Sequence, residues 1–429
     1  MAKRLEFCED PKLNESENGT GIWITRIDIY TCLALSTFAA KENMVMGIRQ
    51  SIYSYVLALS TFATATTPLY VLALSTFAAA TTPLYHLDTT FHPEFPPGSN
   101  TFSAVGVYRD NLFVTQRGNA TLPPVLHVST QTGAFVSSWG EHDVALAKPG
   151  NTWGAHGLSI EDCHYPCADG SSHQPFVRVW IEDFTNHTMT AFSFEGQKLL
   201  QLGTPGQNGT GTDPIQFGNV ADAFVQAGLV TPSPGPTETS SHIYASDGDG
   251  GSANRVIKIN VPPRQNQGGK KAFTEWATDS VFDNPHSITL HRPSQLLIVA
   301  DREQFALKLL EATNGTVLGT FNCGLTFGKG HGVPFGVRTL VFGGKDLLFV
   351  AAMDNPQDHK HQKIFVLDVS GLNANEGVGS ACRVVQTIEV DANEYSGPHL
   401  LGIDESNGDV YAALVADVPL STVLRYRLN

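Results

Sequence analysis

From about residue 87 to its C-terminus the chain repeats one pattern six times: a small apolar strand, a turn, a hydrophobic strand closed by Asp or a similar residue, then a β-branched strand and a Gly. The units run Phe102 to Gly140, His156 to Gly203, Asn219 to Trp276, Pro285 to Phe321, Pro334 to Asp368 and Pro398 to Leu428. The clearest internal match sets VWIEDFTNHTMTAFSFEGQKLLQLG, from Val179, beside IYASDGDGGSANRVIKIN, from Ile243, and LLIVADREQFALKLLEATNGTVLGTF, from Leu297. A lone four-stranded sheet cannot bury both of its faces, so such repeats of about 40 to 60 residues pack blade against blade in a ring. The expected fold is all-β, a six-bladed β-propeller over residues 88–429. Only 16% of residues are charged, and 40 Gly and 24 Pro punctuate the chain, which suits short strands joined by many turns.

Residues 1–87 follow a different rule. Tyr55 to Leu69 (YVLALSTFATATTPL) recurs almost unchanged as Tyr70 to Leu84 (YVLALSTFAAATTPL), and LALSTFA also occurs at Leu33 to Ala39. This low-complexity repeat points to a recent duplication or an error of gene assignment, and an irregular or disordered extension is expected. The apolar stretch Ile29 to Ala40 is too short to span a bilayer, so no membrane span is expected, and a displaced signal region is a second reading of this part.

A balance of 27 basic against 41 acidic residues gives a formal charge of −14, which repels nucleic acid on average and argues against it as a partner. Asn14, Asn18, Asn119, Asn186, Asn208 and Asn314 each sit in an N-x-Ser/Thr sequon, and the cysteines number six. Together they point towards the secretory lumen or the outside of the cell as the expected location. A local Cys163–Cys167 disulfide and a Cys323–Cys382 pair within the fifth unit are expected, leaving Cys8 and Cys32 in the extension.

In a propeller the innermost strand of each blade borders the axis, so a polar side chain at its start faces the channel. That position selects His156 in WGAHGLSI, His286 in NPHSITL and His399 in GPHLLGI. They open units two, four and six, 130 and 113 residues apart, whereas units three and five place their equivalents near Asp222 and Phe335. Alternate blades of a six-fold ring are related by about 120 degrees, so three imidazoles approach one point. Three neutral imidazoles with an open fourth corner are a zinc site of the catalytic type.

With these motifs in order, FVTQRGN around Arg117, HGLSI, ASDG followed by SANRVIKI, NPHSITL, VADRE and GPHLLGI, residues 88–429 resemble the NHL-repeat peptidyl-α-hydroxyglycine α-amidating lyases (peptidylamidoglycolate lyases). The resemblance implies cleavage of the N–Cα bond of a C-terminal α-hydroxyglycine, in a peptide or another N-acyl compound, to an amide and glyoxylate. It further implies zinc on His156, His286 and His399, and two functional arginines at Arg117 and Arg302. No copper-dependent hydroxylase sequence is present, so a separate monooxygenase polypeptide is the implied upstream partner; a monomer is expected.

Two departures stand out. The family's tyrosine base follows the SDG turn, where this chain has SDGDGGSANR and Asp249, a carboxylate that can replace it as a general base. The Asp that would ligate a structural calcium is replaced by Leu400, so calcium is not expected. Loss of the tyrosine keeps an alternative open: a non-catalytic NHL propeller acting as a binding or scaffold module. A lactonase-like metal hydrolase would need a carboxylate-rich site. The DGDGGS stretch at Asp247 is no EF-hand, because Lys258 occupies its twelfth position.

Overall fold

A computed structural model describes residues 83–145, 154–163, 176–227, 230–231, 237–238, 240–251, 253–262, 271–278, 281–354, 362–373, 382–391, 397–415 and 422–429. The chain divides into two units, 1–81 and 82–429, and the first lies outside the described residues together with the expectations for the extension. Among the described residues there is no helix, and so none long and apolar enough to cross a membrane.

Among the described residues the second unit holds a two-stranded hairpin, Val230–Thr231 with Thr237–Glu238, and six antiparallel four-stranded sheets. Their innermost strands, in chain order, are Phe102–Tyr108, Ala155–Cys163, Val220–Gln226, Pro285–His291, Val333–Phe342 and Gly397–Ile403. Each packs against the next, and the sixth packs against the first, so the ring closes. Six separate hydrophobic clusters fill the spaces between adjacent blades, from Phe113 and Ile181 between blades one and two to Tyr411 and Leu112 between six and one. Because a blade is covered on both faces, a strand such as Leu296–Asp301 (LLIVAD) is buried along its whole length and reads as one apolar run instead of an alternation.

The ring is sealed from the N-terminal side. Blade six takes only three strands from the C-terminal repeat; its outermost is Tyr85–Leu87, paired antiparallel with Val423–Leu428. The propeller therefore includes residues on the far side of the 87/88 boundary read from sequence. Three residues have too little pattern to register as a strand, and their partner lies at the other end of the chain. The Tyr85 hydroxyl donates to the Gly408 carbonyl at 3.1 Å, and its ring meets Phe349 edge-on at 5.2 Å.

Asp88 clamps this seam by accepting from Arg425 Nε at 2.8 Å, while the same guanidinium lies 4.5 Å from the Phe91 ring centre. Burial pushes the Asp88 carboxyl up, but hydrogen bonds from Thr90 and Arg425 outweigh it and hold the pKa below the ordinary carboxylate range. A carboxyl depressed in the folded state contributes stability that is complete above its unfolded value, about 3.9, and is lost as pH falls towards the folded value. Between pH 6 and pH 3 the urea midpoint should therefore fall further for the native protein than for Asp88→Asn; equal slopes would remove this clamp from the acid response.

The Cys323–Cys382 disulfide is present and joins the turn after blade four to the outer strand of blade five. Cys8, Cys32 and Cys167 lie outside the described residues.

Candidate metal centre

All six inner strands carry a register break at the same place. The residues left out of the ladder are Ser103, His156, Ala221, His286 and Phe335, with His399 and Leu400 in blade six. A bulge leaves its extra residue unpaired and re-aims the side chain, here towards the axis. Histidine and non-histidine alternate around the ring. The equivalent of the histidines in unit three is thus Ala221, one residue before the position read from sequence.

The alternation serves hydrogen bonding. Each His Nδ1–H donates to the bulge carbonyl of the following blade: His156 to Ala221 at 2.7 Å, His286 to Phe335 at 2.8 Å, and His399 to Ser103 at 2.6 Å. With Nδ1 as donor, a neutral imidazole carries its lone pair on Nε2, the nitrogen turned to the axis. Two glycines permit the approach. A Cβ on Gly157 would stand 2.6 Å from the Ala221 carbonyl oxygen, and one on Gly336 would stand 2.5 Å from that of His399.

The three rings have centroids 4.8 to 4.9 Å apart, and their candidate ligand atoms all lie within 4.8 Å of one another. His156 and His286 are fully buried and His399 is 2% exposed, yet among the described residues Nε2 of His286 has no hydrogen-bond partner. Burial drives His286 and His399 well below the ordinary histidine pKa; the Asp249 charge opposes this at His286, while neighbouring histidines and arginines reinforce it, so the neutral imidazole is the favoured form of both. Three buried imidazole nitrogens converging on a point, one of them without a partner, fit a transition-metal ion.

Leu400 is buried in an apolar cluster with Ala104 and Leu158 and offers no side-chain oxygen to a hard cation. The inner strands instead bear a cation of their own. Arg338 grips Asp222 with two bonds of 2.7 and 2.8 Å, and Ser287 donates to the same carboxylate at 2.6 Å, tying blades three, four and five. Glu182 is buried beside this group, and desolvation, with the Asp222 charge, raises its pKa well above the ordinary value.

Antiparallel pairing brings the end of each second strand to the start of the inner strand, so the loops after the second strands rim the centre. Arg117 follows Asn111–Gln116, Phe184 follows Phe176–Asp183, Asp249 follows Ser241–Asp247, and Arg302 follows Leu296–Asp301. Asp249 is only 1% exposed, its Oδ2 lies 3.1 Å from His156 Nε2, and its Oδ1 accepts from Arg302 at 2.9 Å. It is not the solvated carboxylate that a Gly-rich turn suggests. Its backbone is pinned by Asn219, which accepts from Asp249 N at 3.1 Å and donates from Nδ2 to Asp249 O at 2.7 Å. Burial raises the Asp249 carboxyl, but His156, His286 and Arg302 overcome this and hold it well below the usual range, a fixed anion. Arg117 is buried, and its charge helps lower the His399 pKa.

No family model matches the sequence. The chain is 29% identical over 349 residues to the human (Homo sapiens) NHL repeat-containing protein 3, covering 78% of this chain and 81% of the relative. The mouse (Mus musculus) protein of that name is 28% identical over 349 residues, with 78% and 80% covered. These relatives support an NHL-repeat family. Among solved structures, a gluconolactonase from Xanthomonas campestris gives a TM-score of 0.48 at 12% identity, over 82% of this chain and 94% of that one, a likeness too low to carry an argument.

Two aromatic residues of the ring escape a search for polar motifs. Phe335 lies 5.0 Å from the His286 ring and 5.7 Å from the His399 ring, with the Arg302 guanidinium 5.4 Å from its centre; Phe184 stacks on His156 at 6.2 Å. They wall the centre with apolar surface. Their sequence signal is positional alone: Phe335 occupies a bulge, and Phe184 follows a strand-ending Asp.

Proposed function

We propose that this chain is a zinc-dependent lyase of the peptidyl-α-hydroxyglycine type, releasing an amide and glyoxylate from N-acyl-α-hydroxyglycine ends. The observation that carries this reading is the convergence of three buried imidazoles, each fixed through Nδ1 to the next blade. The ordered motifs around Arg117, His156, Asp249, His286, Arg302 and His399 add to it.

In the reaction the α-hydroxyl loses its proton, its oxygen becomes the aldehyde of glyoxylate, the N–Cα bond breaks, and the amide nitrogen gains a proton. His156, His286 and His399 would hold zinc, which when bound supplies Lewis acidity towards a hydroxyl oxygen. Arg302, 18% exposed at its side chain, and Arg117 present guanidinium groups suited to the substrate carboxylate. Phe335 and Phe184 keep the neighbourhood of those charges apolar, where electrostatic interactions are strongest.

One observation favours a second reading, a metal-holding binding module without turnover. Asp249, at the place of the family's tyrosine, is engaged by Arg302 and His156 and has little affinity for a proton. Glyoxylate release from α-hydroxyhippurate separates the two. The lyase is expected to turn over, to stop when the metal is stripped by a chelator and to recover with added zinc; absence of any metal-dependent product selects the binding module. Residence in the secretory lumen or outside the cell is part of the proposal, supported by the Cys323–Cys382 bond and by exposed sequon residues Asn208 and Asn314.

A further inference from the structure

Asp249 and Arg302 have a relation that neither motif matching nor the lyase reading assigns. Arg302 is the partly exposed partner, with 18% of its side chain accessible, while Asp249 is 1% accessible. The guanidinium is already positioned by Phe335 beneath it at 5.4 Å and by Glu303, which accepts from Nε at 3.0 Å. Its NH1 is directed inward at the Asp249 carboxylate. The other oxygen of that carboxylate lies against His156 Nε2 at 3.1 Å without the alignment of a hydrogen bond. One carboxylate thus bridges the inward-facing donor of an arginine and the ligating nitrogen of the triad.

A small acid carrying an α-oxygen would present the same chemistry: a carboxylate for Arg302, with an oxygen near the imidazoles. We infer that Asp249 is an internal place-holder for such a ligand, and that a 2-hydroxy or 2-oxo carboxylate binds at Arg302 only by exchanging with it. The class of ligand rests on the proposed lyase reading; the exchange rests on the geometry alone. Asn219 holds the Asp249 backbone through main-chain contacts that the carboxylate does not share, so the side chain can leave Arg302 without unfolding the turn. A tethered competitor acts at an effective concentration on the order of millimolar or more, so its removal strengthens binding of a weak external acid at least about tenfold.

Calorimetry with glyoxylate as the probe tests this on the full chain, in zinc-loaded and metal-stripped forms, with zinc content measured for each variant. Asp249→Ala and the near-isosteric Asp249→Asn are both expected to bind glyoxylate about tenfold more tightly than the native protein, and Arg302→Met in either background to abolish the gain. Unchanged or weaker binding by both well-folded Asp249 variants overturns the exchange. Loss of zinc from Asp249→Ala, where the native protein holds it, also overturns it, because Asp249 would then be a metal ligand. If the native protein binds no zinc while the Asp249 variants still gain affinity through Arg302, the exchange stands and the lyase reading fails.

Discussion

Purified His286→Ala is expected to contain no stoichiometric zinc and to release glyoxylate only at background. His286 is fully buried, its Nδ1–H is committed to the Phe335 carbonyl at 2.8 Å, and its Nε2 has no hydrogen-bond partner among the described residues. Removing it takes one of three donors and leaves two rings that cannot enclose an ion. Disturbing an outer-shell partner alone typically costs 10- to 100-fold in metal affinity, so losing a ligand should exceed about a hundredfold. His331→Ala, at an exposed histidine that is not one of the three converging rings, serves as the control and should retain the metal. Full zinc occupancy in a folded His286→Ala protein would remove the triad from metal binding, and the lyase reading with it.

Arg338→Met should cost about 3 to 5 kcal/mol of stability, the penalty for breaking a buried ion pair and stranding its partner. Arg338 is the bidentate partner of Asp222, a fully buried carboxylate that then keeps the Ser287 hydroxyl at 2.6 Å and the Ile288 N–H at 3.4 Å as donors, with Glu182 close by. The effect should be read as a lower urea midpoint at unchanged slope. Adding Asp222→Leu should restore much of the loss, because an apolar replacement of the whole pair is often neutral. A loss below about 1 kcal/mol would mean that solvent reaches Asp222 and the inner cross-link is dispensable.

The two variants probe parts of the molecule that differed in legibility. The blades were readable because burial on both faces writes itself into short apolar runs, as in LLIVAD and in KIFVLD of Lys363–Asp368. The three histidines were readable because each opens an inner strand in an alternate repeat. Asp249 was readable as a candidate but not in its setting: a Gly-rich turn suggests solvent, and only the docking of Arg302 and His156 encloses it. Arg338 and Asp222, 116 residues apart, carry no local mark of their bond.

From the sequence alone came the number of blades, the residues that face the axis and the donor chemistry available there, because these follow from local periodicity and side-chain type. Tertiary structure alone decided the common bulge that turns those side chains inward, the carbonyl tie from each histidine to the next blade, and the closing strand Tyr85–Leu87. The physical reason is distance along the chain: His399 meets the carbonyl of Ser103 across 296 residues, a contact that exists only because the ring closes.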